Sequence, residues 1–359
     1  MLGKIFHFVT SSLGKSISHL SGMNSQSFRN AASAEGSRYY FSLLSEDQRK
    51  IYDSMLYGIE SFAREIKMPI LKPINEISMI YNYLLQDNPM IYYTSSYVYI
   101  TDSSLTRVNI FKPEYKYSNH VVQNNRNAIL KYLQVFDSLK TRSHLDKEFL
   151  IHDYCLNHFK YDLSFGKDSF NIIGAIFNRT AVCEGIAKFV KLAFDYIGVD
   201  SLVVSGNARS PSQNNATESH AWNIVKINGN TFHLDVTFDM TIKNKVNRYD
   251  YFNLSDEDIK KDHTVIGTAP VCNTKGYDYF SLNSLLANNI NEFERIIENK
   301  LRAGQRVITV KFAGLHFSND LLNQIMKRAQ QIYLRIVKPK VMLDVFYNEN
   351  QMVFELGFR

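Results

Sequence analysis

Thr180-Ala181-Val182-Cys183-Glu184-Gly185-Ile186-Ala187-Lys188-Phe189, then Ser219-His220-Ala221-Trp222-Asn223-Ile224-Val225-Lys226-Ile227-Asn228-Gly229-Asn230-Thr231-Phe232-His233-Leu234-Asp235-Val236-Thr237-Phe238-Asp239, is the stretch that decides the fold. A cysteine opens a helical pattern, a histidine starts a strand and an aspartate ends the next strand. These are the groups that a thiol nucleophile, its general base and the base's orienting partner require. Beyond Cys183, Ile186, Phe189, Val190, Ala193, Phe194 and Ile197 recur at helical spacing, and Gly198 supplies a C-terminal stop. Thr180 reads as the N-cap, which places Cys183 in the first turn. Unpaired N–H groups and the helix dipole favour a thiolate there and can bind a developing oxyanion. Cys155, within an expected helix from Glu148 to Phe159, and Cys272, in a loop-like stretch, read as buried small apolar residues.

Asn228-Gly229 between two strand-like runs is a hairpin signal. A two-residue turn there pairs Ile227 with Asn230, Trp222 with Asp235 and His220 with Thr237. His220, Trp222 and Asp235 then share one face, and His220 and Asp235 are diagonal neighbours, with backbones roughly 7–8 Å apart. A three-residue loop would put them on opposite faces. His233, opposite Ile224 and nearer the turn, is the rival base or else a half-buried strand histidine. Asp239 is the rival carboxylate, beyond the strand end. Trp222 serves either as core packing or as a wall of the cleft.

Together Ala181-Val182-Cys183-Glu184-Gly185-Ile186-Ala187, His220-Ala221-Trp222-Asn223 and Asp235-Val236-Thr237-Phe238-Asp239 resemble the A-V-C-x-G-x-A, H-A-W-N and D-V-T-x-D runs of bacterial members of the transglutaminase-like superfamily, whose core is papain-like. Ile151-His152-Asp153-Tyr154 with Tyr161-Asp162 is similar to the family's lead-in helix, and 248–262 to its Y-D-Y-F-x-x-S-D-E segment. Phe238 stands where relatives often carry Trp. The resemblance implies Cys183 as nucleophile, His220 as base and Asp235 as orienter. It implies acyl transfer through a thioester, to an amine (cross-linking) or to water (deamidation or peptide cleavage). Tyr161 is the candidate to complete an oxyanion hole, with Glu184 and Trp222 as further cleft candidates. It also implies a protein or peptide substrate, including cell-wall peptides, and a secreted or cell-surface setting. The alternative is a surface-binding or scaffolding protein that keeps the fold without turnover.

Composition sets bounds. The chain has 359 residues, 45% hydrophobic and 21% charged, enough for two or three domains. A net charge of +6 is spread along the chain with no basic–aromatic run, which does not argue for nucleic acid. Three cysteines are too few for a disulfide framework. Without CxxC, HExxH or an EF-hand loop, no metal and no cofactor is assigned; the family's larger animal members use calcium, but no calcium loop is recognisable. No apolar run reaches eighteen residues, so no membrane-spanning helix is expected. Leu2, Ile5, Phe6, Val9, Leu13, Ile17 and Leu20 form an amphipathic stretch that suits docking to a partner or membrane surface, but lacks the core of a signal peptide.

The expected architecture is α+β: a papain-like transglutaminase core, its nucleophile helix packed on an antiparallel sheet, flanked by smaller α+β domains. Residues 1–37 read as leader and linker. Residues 38–123 form a small α+β domain with helices Ser45 to Phe62 and Pro73 to Gln86, then strands Met90 to Tyr93, Tyr97 to Thr101 and Arg107 to Phe111. Residues 124–265 are the catalytic domain, in which Ser210 to Asn215 form a polar loop suited to a lid. Residues 266–359 are an α/β region with helices Asn291 to Lys300 and Asn319 to Gln331, a strand Val307 to Phe312, and three strand-like runs to Phe358.

Overall fold

A computed structural model describes residues 38–209, 217–337 and 342–359; the expected leader and linker, and the expected lid at Ser210 to Asn215, lie outside these. Two compact units interleave along the chain. The first takes the described residues up to Ile151, with Gly166–Arg179 and Lys188–Val203. The second takes His152–Phe165, Thr180–Ala187 and Val204–Arg359.

In the first unit, α1 (Glu46–Glu60) starts at a capping box. The Ser45 hydroxyl accepts from the Gln48 N–H, and the Gln48 amide accepts the Ser45 N–H at 2.9 Å. α2 (Ile74–Asp87) follows Pro73 and buries Ile77, Ile80, Tyr81 and Leu84, one helical stripe. Its last residue, Asp87, is buried and accepts the N–H groups of Tyr40 and Phe41 at 3.1 and 2.9 Å. The antiparallel sheet is ordered β1 (Ile66–Pro73), β3 (Arg107–Tyr115), β2 (Thr94–Thr101), and α3 (Asn119–Leu133) follows it. Met90 to Tyr93, expected as a strand, is not one. The Ile91 N–H closes a turn on the Asn88 carbonyl at 2.9 Å, around a proline that has no N–H for a ladder. β1 escaped the sequence reading because Pro69 and a register shift between Lys67 and Lys72 break its alternation.

α4 (His144–His158) leads into the second unit, where β4 (Lys160–Tyr161) lies parallel to β5 (Thr180–Ala181). α5 (Cys183–Ile197) follows, then β6 (Ser201–Arg209), β7 (Thr217–Ile227), β8 (Asn230–Leu234), the short helix α6 (Val236–Thr241) and β9 (His263–Val265). Their sheet is ordered β8-β7-β6-β9. The Asn223 amide ties the start of α5 to β7 by donating to the Ala187 carbonyl at 3.0 Å. Beyond it, β10 (Leu286–Ala287), α7 (Ile290–Arg302), β11 (Val307–Phe312), α8 (Asn319–Ile336), β12 (Leu343–Asn348) and β13 (Val353–Phe358) form a second sheet, ordered β10-β11-β13-β12. Phe280, Phe293, Ile297, Val310, Ile325 and Phe354 fill its core. Two strands stand among the described residues where three were expected after α8. The fold is mixed α+β, as expected. Among the described residues no helix is long and apolar enough to cross a membrane.

Candidate active site

Asn228 and Gly229, at φ +50 and +84, make the two-residue turn, and the ladder runs from Ile227↔Asn230 to Asn223↔Leu234 in the expected register. It then stops. His220 does not pair with Thr237, because β8 ends at Leu234 and α6 begins at Val236. Asp235 turns the chain: as N-cap, its Oδ1 accepts the Phe238 N–H at 3.0 Å. Its Oδ2 accepts from His220 Nε2 at 2.7 Å. One carboxylate therefore caps a helix and fixes an imidazole, and it sits at 0% exposure.

Thr180 is not the cap of α5, because Thr180 and Ala181 are taken up by pairing with Lys160 and Tyr161. The first helical bond runs from the Ile186 N–H to the Val182 carbonyl at 3.0 Å, so Cys183 is the first residue of the helix. Its position among the unpaired N–H groups is thus stronger than expected. All three cysteines are free, and Cys183 alone is half-buried rather than buried. Burial pushes the Cys155 thiol up and the Cys272 thiol up to about 12, which makes both poor nucleophiles.

The Cys183 thiol lies close enough to the His220 imidazole to raise its pKa. Since Nε2 is taken by Asp235, Nδ1 is the nitrogen that can meet the sulfur. Burial disfavours the His220 charge, but the Asp235 carboxylate, by charge and hydrogen bond, and then Cys183 outweigh it and push the imidazole up to about 10. Asp235 responds in kind. Burial raises it, but the charge and hydrogen bonds of His220 and His263 pull it well below the carboxylate range.

Tyr161 stands opposite Ala181 at the end of β4, half-buried. Burial first, then the charges of Cys183, Glu218 and Asp235, push its phenol up to about 12, so it stays a hydroxyl donor. Glu184 is the second residue of α5 and half-buried. Trp222 is 1% exposed and lies under the His220 ring, centroids 5.9 Å apart. It reaches this place because a Cβ at Gly206 would come within 2.8 Å of the indole. Its N–H donates to His233 Nδ1 at 3.0 Å, and His233 Nε2 lies 2.9 Å from Asp256. Both nitrogens of the rival base are therefore engaged away from the thiol.

Residues 134–236 match the family model described as the transglutaminase-like superfamily. That segment is similar to a transglutaminase-like core. A search of curated proteins finds no match. Among solved structures, the chain is similar to one described as a TGase, at 16% identity over 40% of this chain and 44% of that one, TM-score 0.28. It is also similar to a candidate cysteine protease from Cytophaga hutchinsonii, at 16% identity over 36% of this chain and 51% of that one, TM-score 0.25. The chain thus spans about half the length of each.

Two histidines near this core were not singled out from the sequence. His263, on β9 and beyond the matched segment, places Nε2 at 3.0 Å from Asp235 Oδ2 and Nδ1 at 2.6 Å from Asp262 Oδ1. No motif marks it, and 28 positions separate it from Asp235. His152 was noted only for its place in the lead-in helix. Its Nε2 lies 3.0 Å from Asp239 Oδ2, so the rival carboxylate serves a different histidine. The clusters His220–Asp235–His263 and His233–Asp256–Cys272 have metal-ligand composition. In the first, both His263 nitrogens face carboxylates; in the second, the Trp222 N–H on Nδ1 leaves the His233 proton on Nε2. In neither cluster does His263 or His233 keep a free nitrogen lone pair for an ion.

Proposed function

We propose that the transglutaminase-like core is a thiol enzyme that transfers acyl groups from amide bonds of a protein or peptide substrate. The observation that carries this reading is one continuous line of groups. A half-buried cysteine at the first position of α5 meets a histidine whose far nitrogen is bonded at 2.7 Å to a buried carboxylate. Cys183 attacks the substrate carbonyl as thiolate. The oxyanion is met by helix N-terminal N–H groups and by the Tyr161 hydroxyl. His220, protonated at neutral pH, gives its proton to the leaving amine, and a thioester remains. It then takes a proton from the incoming amine or water as that nucleophile attacks the thioester, and expulsion of the Cys183 thiolate releases the product and restores the starting ion pair. Asp235 holds the tautomer and the ring orientation throughout. The family match over 134–236 supports the class, and the acceptor follows from which nucleophile reaches the thioester.

The test is ammonia release from glutamine-containing peptides, with and without an added primary amine. Release that needs Cys183, and amine incorporation that follows it, support transfer; release without incorporation points to water as acceptor. A folded protein whose Cys183 reacts with iodoacetamide no faster than a free thiol, and no differently in His220→Ala, sinks the reading and leaves a binding role.

A further inference from the structure

The Asp235 carboxylate serves two rings. Oδ2 is 2.7 Å from His220 Nε2 and 3.0 Å from His263 Nε2. On its other side, His263 places Nδ1 at 2.6 Å from Asp262 Oδ1. An ionised carboxylate only accepts, so both short contacts call for an N–H, and a ring with two N–H groups is an imidazolium. The surroundings suit one. The side chains of His263, Asp235 and Asp262 are all at 0% exposure. Asp262 is held in turn from the C-terminal hairpin: the Tyr251 hydroxyl donates to Oδ2 at 2.8 Å, and the Asn348 amide donates to that hydroxyl at 3.1 Å. The Gln351 amide approaches the same carboxylate at 3.3 Å. Burial disfavours the His263 charge, but its bonds to Asp235 and Asp262 prevail and raise its pKa.

We propose that His263 is a positioning residue for the active site: an imidazolium locked between Asp262 and Asp235 that shares the Asp235 charge and so limits how tightly His220 holds its proton. The titratable groups facing it are His220 and Asp235 from the β7–β8 side, Tyr251 and Asp262; His233 also feels its charge. Trp222 and Phe238 close the remaining sides, with centroids at 5.0 and 4.7 Å. Its consequence for turnover rests on the acyl-transfer reading; its protonation does not. Because Asn348 at the end of β12 and Gln351 in the turn after it carry the outer end of the chain of bonds, the C-terminal hairpin becomes part of how the site is tuned.

The experiment is nitrogen-15 NMR of the full chain labelled at histidine, titrated alongside His263→Gln. In the unaltered protein, His263 should show both ring nitrogens protonated at pH 7. Glutamine keeps a donor towards Asp235 but removes the charge, so the His220 midpoint should rise by about one pH unit. The pH profile of Cys183 alkylation should move with it. A singly protonated His263 at pH 7, or an unmoved His220 midpoint in a folded variant, overturns the proposal. If His263→Gln does not fold, the ring-nitrogen spectrum of the unaltered protein decides. Asp262→Asn, which removes the counter-charge, should lower the His263 midpoint by about two units. A doubly protonated His263 beside an inert Cys183 would remove the acyl-transfer reading and leave this one standing.

Discussion

Asp235 and Asp239 lie four residues apart, both fully buried and both bonded to a histidine, yet only one of the two pairs lies beside a thiol. His220 turns its second nitrogen to a half-buried thiol at a helix start. The second nitrogen of His152 lies 3.7 Å from Asp153, and its ring stacks on Tyr249 with centroids 4.9 Å apart. Charges differ as well. Two histidines pull Asp235 far down, whereas burial, joined by the charge of Asp250, pushes Asp239 up against the pull of His152. A buried His–Asp hydrogen bond is therefore not in itself a catalytic device; what faces the far nitrogen decides.

Substitutions that separate the two pairs test this. Cys183→Ala should have the largest effect, a loss of turnover of about 10⁴-fold or more with the circular dichroism spectrum unchanged. Cys155→Ala should keep turnover, and retained activity in Cys183→Ala would break the comparison at its root. Next, His220→Ala should cost about 10³-fold in kcat in the folded protein, besides the stability lost with a partner of buried Asp235. His152→Ala should cost stability but not turnover. It strands a buried carboxylate and should cost about 3 kcal/mol of stability, read from denaturant melts, while the surviving folded enzyme turns over.

Linkage gives the two pairs different pH signatures. Burial lowers the His152 pKa, but the nearby Asp153 carboxylate and the hydrogen bond to Asp239 prevail and set it at about 8. A histidine raised above its unfolded value near 6.5 contributes fully below that value, and the contribution is lost as pH rises through the folded pKa. The His152 pair should account for a loss of about 2 kcal/mol between pH 6 and 9, and His152→Gln should remove that share of the slope. The His220 contribution should fall over a wider span, from about pH 6.5 up to its folded value of about 10. A stability curve that is flat from pH 6 to 9 would argue against a charged His152.

The hairpin shows what local sequence carries. Asn228-Gly229 specified the turn, the turn specified the register, and the register separated Asp235 from Asp239 and His220 from His233. The ladder's end was not legible, because it depends on Asp235 capping α6 instead of continuing β8, a choice made by the Phe238 N–H and two histidines together. Thr180 misled for a similar reason: strand pairing with β4 outweighed its value as a cap. His263 and the His152–Asp239 bond were invisible because no periodicity links residues that meet across 28 and 87 positions. β1 was hidden by its prolines and bulge.

The smallest expected effect concerns the rival base. Trp222 donates its indole N–H to His233 Nδ1 at 3.0 Å, which fixes the His233 proton on Nε2 towards Asp256. Trp222→Phe keeps an aromatic ring beneath His220 but leaves Nδ1 without a donor and opens a small void, at a cost of about 1–2 kcal/mol. Freed from the indole, the His233 ring can take a second proton, so its midpoint should rise. Turnover should stay within about threefold, because the ring touches His220 by packing alone and the Asp235 bond is untouched. A loss of a hundredfold with intact folding would mean that Trp222 positions His220 directly, and that the division between the paired base and its rival runs through the indole.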